Sequence, residues 1–174
     1  MQRPHSVLIT GGCRSGKSRY AIARWSQAAG QKIFLATAEA KDQEMAQRIR
    51  RHRDERGAQW TTLEEPEQPG RIFSRNASKA SVILLDCLTL WVANLMMRNH
   101  SDESILSEAS HLLAAIRPAP CITAVVTNEV GLGMVPHNEL ALRFCSLAGK
   151  INQRFAAGMD EVVLLVAGVP VVLK

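Results

Sequence analysis

The fold of this chain is decided by one stretch near its start, Val7-Leu8-Ile9-Thr10-Gly11-Gly12-Cys13-Arg14-Ser15-Gly16-Lys17-Ser18. A short apolar run meets the pattern Gly-x-x-x-x-Gly-Lys-Ser, and a segment of helical character follows at residues 19–29. This is the sequence form of a P-loop, a phosphate-binding turn between a strand and a helix. A glycine-rich turn that merely joins the two elements is the alternative. The presence of all four signature positions favours phosphate binding.

Each residue type in the loop has a chemical reason. Gly11 and Gly16 let the backbone curl with its N–H groups pointing inward, and the N-terminus of the following helix reinforces this anion-binding nest. Lys17, expected to be an exposed loop residue, is able to reach the outer phosphates, and the Ser18 hydroxyl is able to ligate Mg²⁺. The loop therefore predicts nucleotide binding without specifying a reaction.

The composition is that of an ordinary soluble globular protein. The 174 residues are 47% apolar and 21% charged, which fits a single domain, 1–174. A net charge of +5 suits anionic ligands such as nucleotides and is modest for nucleic-acid binding. The four cysteines form no C-x-x-C pair, no signal peptide is apparent, and the longest apolar run, 162–173, is too short for a membrane span. We therefore expect a cytoplasmic protein.

Strands and helices alternate along the chain. Apolar strands are predicted at 32–37, 82–86, 122–127, 162–166 and 171–173, and a short edge strand at 60–64. Helices are predicted at 42–56, 88–97, 105–116 and 139–157. Pro66 and Pro69 mark a loop, and the last helix is expected to bury Leu140, Phe144, Leu147, Ile151 and Phe155. Strands that are apolar on both faces predict an α/β fold with a mostly parallel sheet and helices on both faces. With the P-loop, this pattern indicates a P-loop NTPase of the RecA-like type.

Asp86 ends a run of four apolar residues, 82–85. A carboxylate in this position resembles the Walker B residue, which holds a Mg²⁺ water or accepts a proton from a substrate hydroxyl. The alternative is a helix N-cap for the segment 88–97, a role open to Asp86 or Thr89. Ligands gather at the C-terminal ends of strands in such sheets, and this favours the chemical role.

A basic helix segment, 47–56, carries a histidine among arginines. A solvated charged face is one interpretation. Against it, His52 is three residues from Ile49 on the apolar edge, and Arg48 and Arg56 stand four residues to either side of it. Arginine forks suit phosphate oxygens, and their charge favours the neutral, nucleophilic imidazole. His52 is therefore a candidate nucleophile toward phosphorus.

Several motifs together resemble one family along essentially the whole chain. They are Gly-Gly-x-Arg-Ser-Gly-Lys-Ser-Arg at 11–19, Ala-Thr-Ala at 36–38, Glu-Met-x-x-Arg-Ile-x-x-His at 44–52, residues 60–64, Leu-Leu-Asp-Cys-Leu-Thr at 84–89, Thr-Asn-Glu-Val-Gly-Leu-Gly-Met-Val-Pro at 127–136 and Ala-Gly-Lys-Ile-Asn-Gln-Arg at 148–154. The set is similar to the bifunctional adenosylcobinamide kinase/adenosylcobinamide-phosphate guanylyltransferase family of cobalamin biosynthesis. The Thr-Asn-Glu-Val-Gly-x-Gly block and the basic histidine helix are its most specific parts.

The resemblance implies two reactions on a corrinoid substrate. ATP or GTP phosphorylates the aminopropanol hydroxyl of adenosylcobinamide, and GTP then transfers GMP to that phosphate through a histidine intermediate. It implies Mg²⁺, a homotrimer and no nucleic acid. His52, Lys17 and Asp86 are the implied catalytic residues, Ser18 the metal ligand and Glu64 a possible guanine ligand. The implied nucleotide-binding residues are Gly11, Gly12, Cys13, Arg14, Ser15, Gly16, Lys17, Ser18, Ala36, Thr37, Ala38, Arg53, Asp54, Glu55, Arg56, Glu64 and Asp86.

Two other functions stay open on the residues alone. A single-step P-loop kinase of a small metabolite would use the arginine helix as a lid and form no covalent nucleotide adduct. A recombinase-like, ATP-dependent nucleic-acid binder would use the same helix as a phosphate footprint. The low aromatic content, 5%, counts against stacking of bases on such a surface.

Overall fold

Seven strands form one sheet in the computed structural model, which describes residues 5–40, 42–133 and 137–174. The strands are β1 (Ser6–Gly11), β2 (Lys32–Ala36), β3 (Trp60–Glu64), β4 (Val82–Asp86), β5 (Ile122–Val126), β6 (Glu161–Val166) and β7 (Val169–Val172). Their order across the sheet is β3-β2-β4-β5-β1-β6-β7. β6 and β7 pair antiparallel, and the other neighbours are parallel, which confirms the mostly parallel α/β sheet.

Helices cover both faces of this sheet. They are α1 (Lys17–Arg24), α2 (Gln43–Arg56), α3 (Pro69–Asn76), α4 (Leu88–Met97), α5 (Asp102–Ile116) and α6 (Glu139–Gly158), with a 3₁₀ turn at Val130–Leu132. On one face, Ala21 of α1 and Trp25, which directly follows α1, pack with Phe34 of β2. On the other, residues of α3, α4, α5 and α6 form the larger core, which includes Phe73, Trp91, Leu112 and Phe155. The strands are apolar on both sides because both sides are covered.

The strand register aligns the C-terminal ends of three strands. Ala36 of β2 is opposite both Glu64 of β3 and Asp86 of β4. Asp86 is in turn opposite Val126 of β5, which pairs with Ile9 of β1. Because parallel strands end at one edge, these residues and the loop after β1 lie along the same rim of the sheet.

Helix α3 corrects the loop predicted at Pro66 and Pro69. Pro69 occupies the first turn of α3, where its missing N–H is no loss, instead of breaking a helix. Phe73 is only 1% exposed, and α3 packs against α5. Tertiary packing thus stabilises an eight-residue helix that would be marginal by itself.

Two further expectations about helices are wrong in detail. α1 ends at Arg24 and not at residue 29, because the Lys32 ammonium donates to the Ser26 and Ala28 carbonyls (2.6 and 3.1 Å) and holds that segment as a turn. In α6, Leu147, Ile151 and Phe155 are buried as expected and Phe144 is half-buried. Leu140 is 56% exposed, and the buried residues of α6 begin only at Leu147. Within the described residues, no helix has the length and apolar character needed to cross a bilayer.

Candidate nucleotide site

The loop between β1 and α1 has the backbone conformation that its glycines predict. Gly11 has φ 145° and Gly16 has φ 95°, both in the region that favours glycine. A Cβ at Gly11 would lie 2.5 Å from the Leu165 carbonyl oxygen, so no larger residue fits there without displacing β6. Gly16 is the N-cap of α1, and the helix N-terminus therefore opens directly into the loop.

Lys17 is buried, with 7% exposure, which corrects the expectation of an exposed loop lysine. Its Nζ donates to the Gly12 and Gly11 carbonyl oxygens (2.6 and 3.1 Å) and to Ser15 Oγ (3.4 Å). The stem packs at the start of α1, and the charged end is folded back onto the loop. The ammonium is therefore positioned against the inner side of the phosphate loop.

Asp86 and Lys17 act on the same buried thiol. Burial, and after it the charge of the neighbouring Asp86, raises the pKa of Cys87 to about 12, while the charge of Lys17 opposes the shift. The charges of the phosphate loop and of the β4 end therefore act on the same buried group. Cys87 Sγ, and not Asp86 or Thr89, caps α4 by accepting from the Leu90 N–H at 3.5 Å, so the capping role considered for those two residues is wrong.

Ala36, Thr37 and Ala38 follow β2 on the same rim. Ala36 and Thr37 are buried and Ala38 is half-buried. The Thr37 hydroxyl donates to the Cys87 carbonyl (2.7 Å) and accepts from the Cys87 N–H (2.8 Å). The Thr37 side chain therefore joins the end of β2 to the residue that follows Asp86.

Arg56, at the C-terminal end of α2, reaches back over the sheet. Its guanidinium carbon is 3.7 Å from the centroid of the Phe34 ring, and the residue is 5% exposed. Burial lowers the pKa of Arg56, while the charges of Asp86 and Glu64 raise it and that of Arg53 lowers it. Three residues predicted for the site from separate segments, Arg56, Glu64 and Asp86, are thus brought together.

Arg53 and Asp54 are exposed and line a groove of about 410 Å³ at the outer edge of β3. Arg53 and Glu64 also line a cavity of about 630 Å³ with Arg75 and Lys79 of the α3 side. The backbone of α2 includes position 52, but the side chains of Arg48, His52 and Glu55 lie outside the described residues. The nucleophilic role of His52 therefore stays a prediction.

A polar network beside the loop was not singled out as a site from the sequence. It joins Thr10, Thr127, Glu129 and Asn152 by hydrogen bonds at the C-terminal end of β5. The signal was present, because the apolar run 122–126 ends in Thr-Asn-Glu much as the run 82–85 ends in Asp86.

The loop geometry and the sheet order define a P-loop NTPase. Solved structures with this fold include the RadB recombinase, with a TM-score of 0.57 and 12% identity over 92% of this chain and 73% of that one. A prototypical ATPase from a bacterial type III secretion system gives a TM-score of 0.56 and 14% identity over 92% of this chain and 50% of that one. At these identities the likeness shows the RecA-like fold alone.

Residues 7–173 match the model of the cobinamide kinase / cobinamide phosphate guanyltransferase family, and the chain belongs to that family. It is 40% identical to the bifunctional adenosylcobalamin biosynthesis protein CobU of Salmonella typhimurium over 97% of this chain and 99% of that one. It is 37% identical to CobU of Escherichia coli over the same shares, and 40% identical to CobP of Pseudomonas aeruginosa over 96% of each chain. The chain is accordingly an enzyme with kinase and nucleotidyltransferase activities.

Proposed function

We propose that this protein phosphorylates the aminopropanol hydroxyl of adenosylcobinamide with ATP or GTP and then transfers GMP from GTP to the new phosphate. The observation that carries the proposal is the phosphate loop, in which Gly16 caps α1 and the Lys17 ammonium lies on the loop carbonyls, with Asp86 at the end of β4 on the same rim. The cation suits the phosphate oxygens, and the carboxylate suits the Mg²⁺ that accompanies a triphosphate. Family membership selects the corrinoid as the second substrate.

In the kinase step, the loop amides and Lys17 hold the outer phosphates of the donor. The hydroxyl oxygen of the corrinoid attacks the γ-phosphorus, the bond to the β–γ bridging oxygen breaks, and the nucleoside diphosphate leaves. The hydroxyl proton passes to a base. Little covalent chemistry is required of the protein, because positioning and charge stabilisation do most of the work in phosphoryl transfer.

In the guanylyl transfer, an imidazole nitrogen of His52 attacks the α-phosphorus of GTP. A P–N bond forms, the bond to the pyrophosphate oxygen breaks, and the imidazole ring loses its proton. A phosphate oxygen of adenosylcobinamide phosphate then attacks the same phosphorus and breaks the P–N bond, which gives adenosylcobinamide-GDP. A covalent intermediate divides one difficult transfer into two easier ones.

The donor set beside the loop fits Mg²⁺. Ser18 offers a half-buried hydroxyl in the first turn of α1, and Asp86 offers a carboxylate at the end of β4 on the same rim. Mg²⁺ favours such hard oxygen ligands together with substrate phosphates and water. When bound, it neutralises charge on the phosphates; Ser18 and Asp86 would hold it.

Glu64 supports a preference for guanine. Its exposed carboxylate stands at the end of β3 and lines the 630 Å³ cavity that also contains Arg53. A carboxylate accepts well from the N1–H and N2–H₂ groups of guanine, a pair that adenine lacks. We infer that Glu64 contacts the base of GTP, with Arg53, Asp54, Glu55 and Arg56 on the side of the ribose and phosphates.

We propose that the protein works as a cytoplasmic homotrimer of one-domain subunits and without nucleic acid. The single seven-stranded sheet supports one nucleotide-binding domain, 1–174. The edge strand β7 carries Val169 and Val172 at 62% and 65% exposure, an apolar surface that a neighbouring subunit would cover. Sedimentation equilibrium tests the trimer, and a salt titration with labelled DNA tests the absence of nucleic-acid binding.

The direct test of the function uses two labels with adenosylcobinamide as acceptor. We expect γ-labelled nucleotide to label the corrinoid in the presence of Mg²⁺, and α-labelled GTP to label it only after phosphorylation. Transfer of the γ-label without any transfer of the α-label would show that the enzyme is a single-step kinase.

A further inference from the structure

The carboxylate of Glu129 is held through one of its two oxygens. Oε1 accepts a short hydrogen bond from Thr10 Oγ1 and a second one from Asn152 Nδ2 at 3.3 Å. Within residues 5–40, 42–133 and 137–174, the other oxygen, Oε2, makes no hydrogen bond, and the side chain is partly exposed. Glu129 thus has a fixed orientation and one oxygen available to a ligand.

The groups that hold Glu129 are themselves fixed. Asn152 is 7% exposed, accepts from Thr127 Oγ1 at 2.7 Å and donates to the Asn128 carbonyl at 3.0 Å. Thr89 Oγ1 accepts from the Asn128 N–H at 2.8 Å. This network joins the ends of β1 and β5 to α4 and α6. Such support is what an acid–base group needs in order to stay within reach of its proton.

Glu129 is also bonded directly to the phosphate loop. Its backbone N–H donates to the Gly11 carbonyl at 3.2 Å, and the same carbonyl accepts from Lys17 Nζ at 3.1 Å. In the sheet, β5 lies between β4, which ends in Asp86, and β1, which leads into the loop. Glu129 therefore stands between the carboxylate suited to the metal and the loop suited to the phosphates.

We propose that Glu129 Oε2 accepts the proton of the attacking hydroxyl in the kinase step, and this inference rests on the proposed function. The O–H bond of the acceptor breaks, its proton forms an O–H bond with Oε2, and the freed oxygen pair bonds to the γ-phosphorus as the diphosphate leaves. The charge of Asp86 acts on the buried Arg56 guanidinium, whereas the Glu129 carboxylate accepts from a neutral hydroxyl and a neutral amide. The first setting suits a metal ligand and the second a proton acceptor.

The test compares the two activities in Glu129→Gln. Glutamine keeps an oxygen to accept from Thr10 but provides no basic carboxylate. The kinase kcat should fall by roughly 10²- to 10⁴-fold with little change in the KM for the nucleotide. GMP transfer onto presynthesised adenosylcobinamide phosphate should stay within about threefold of wild type, because that acceptor has no hydroxyl proton to lose. Glu108→Gln, an exposed carboxylate on α5, is the matched control and should change neither activity.

Three outcomes would overturn the assignment. Equal losses of both activities in Glu129→Gln would mean that the residue only shapes the loop that both reactions share. Recovery of kinase kcat at high Mg²⁺ would make it a metal ligand. Unchanged kinase turnover, with GMP transfer intact, would remove Glu129 from the chemistry and leave the proposed function standing. Glu129→Asp should recover part of the kinase rate, since the carboxylate remains.

Discussion

The guanidinium of Arg56 lies over the ring of Phe34, 3.7 Å from its centroid, and so joins the end of α2 to the middle of β2. This contact fixes the C-terminal turn of the helix whose backbone includes position 52. The guanidinium is also influenced by the charges of Asp86 and Glu64. Arg56 therefore connects the helix assigned to guanylyl transfer with the rim that carries the phosphate site.

Arg56→Lys should impair GMP transfer more than phosphorylation. A lysine keeps the charge but loses the planar stacking on Phe34, a contact of up to about 2 kcal/mol when desolvated. We expect GMP transfer to fall by at least about tenfold, which corresponds to about 1.4 kcal/mol. Arg50→Lys, on an exposed position of the same helix, is the control. Equal losses in both activities, measured by the two-label assay, would argue against a role specific to α2.

Lys17→Met should abolish both activities. Methionine retains the apolar stem that packs at the start of α1 but cannot bind phosphate. Because Nζ bonds to the Gly11 and Gly12 carbonyls, some stability should be lost as well, on the order of 1 kcal/mol. Circular dichroism and thermal melts would establish that the fold remains. Normal kinase turnover in a folded Lys17→Met protein would remove Lys17 from the mechanism.

Asp86→Asn should lower kinase turnover by orders of magnitude with little change in stability. The amide keeps the shape of the side chain but removes the charge that suits Mg²⁺. Cys87 Sγ caps α4, so the helix start should be unaffected. The measurements are kinase kcat over a range of Mg²⁺ concentrations and the free energy of unfolding. A folded variant with wild-type turnover at low Mg²⁺ would contradict this role.

Glu161 predicts an acid-sensitive contribution to stability. Hydrogen bonds from Arg24 (2.7 Å to each oxygen), together with the one that Glu161 shares with His5, lower the pKa of Glu161 to about 2 from an ordinary 4.5. A lowered folded-state pKa means that the contribution is present above about pH 4.5 and is lost as the pH falls toward 2. Glu161→Gln should destabilise the protein by about 1 kcal/mol at pH 7 and by less near pH 3. Denaturant unfolding at both values tests this; an equal loss at the two pH values would contradict it.

The sequence predicted the sheet and the phosphate loop well because both depend on local chemistry. Gly11, Gly16, Lys17 and the apolar runs of the strands each have one favourable structural solution. α3 was missed because Pro69 also serves as a loop residue, and only the packing of Phe73 decides between the two.

The site was harder to predict where it depends on contacts between distant segments. The stacking of Arg56 on Phe34 and the bond from Thr10 to Glu129 join residues far apart in the chain, and no spacing rule encodes them. The burial of Lys17 has a different origin: its partners are within six residues, but the direction of their carbonyls depends on the folded shape of the loop. A functional side chain at the end of one strand, such as Asp86, could be predicted from the sequence. A hydrogen bond between residues at the ends of two strands, such as that from Thr10 to Glu129, could not.

The central claim, a covalent guanylyl intermediate on His52, is tested most directly by α-labelled GTP with the wild type and His52→Ala. The wild type should take up label that is lost in acid and stable in base, as expected for a P–N bond. His52→Ala should take up none while it keeps much of the γ-label transfer to adenosylcobinamide, and the exposed His111→Ala should behave as wild type. Retained labelling in folded His52→Ala, or an adduct mapped by mass spectrometry to another residue, would contradict the account.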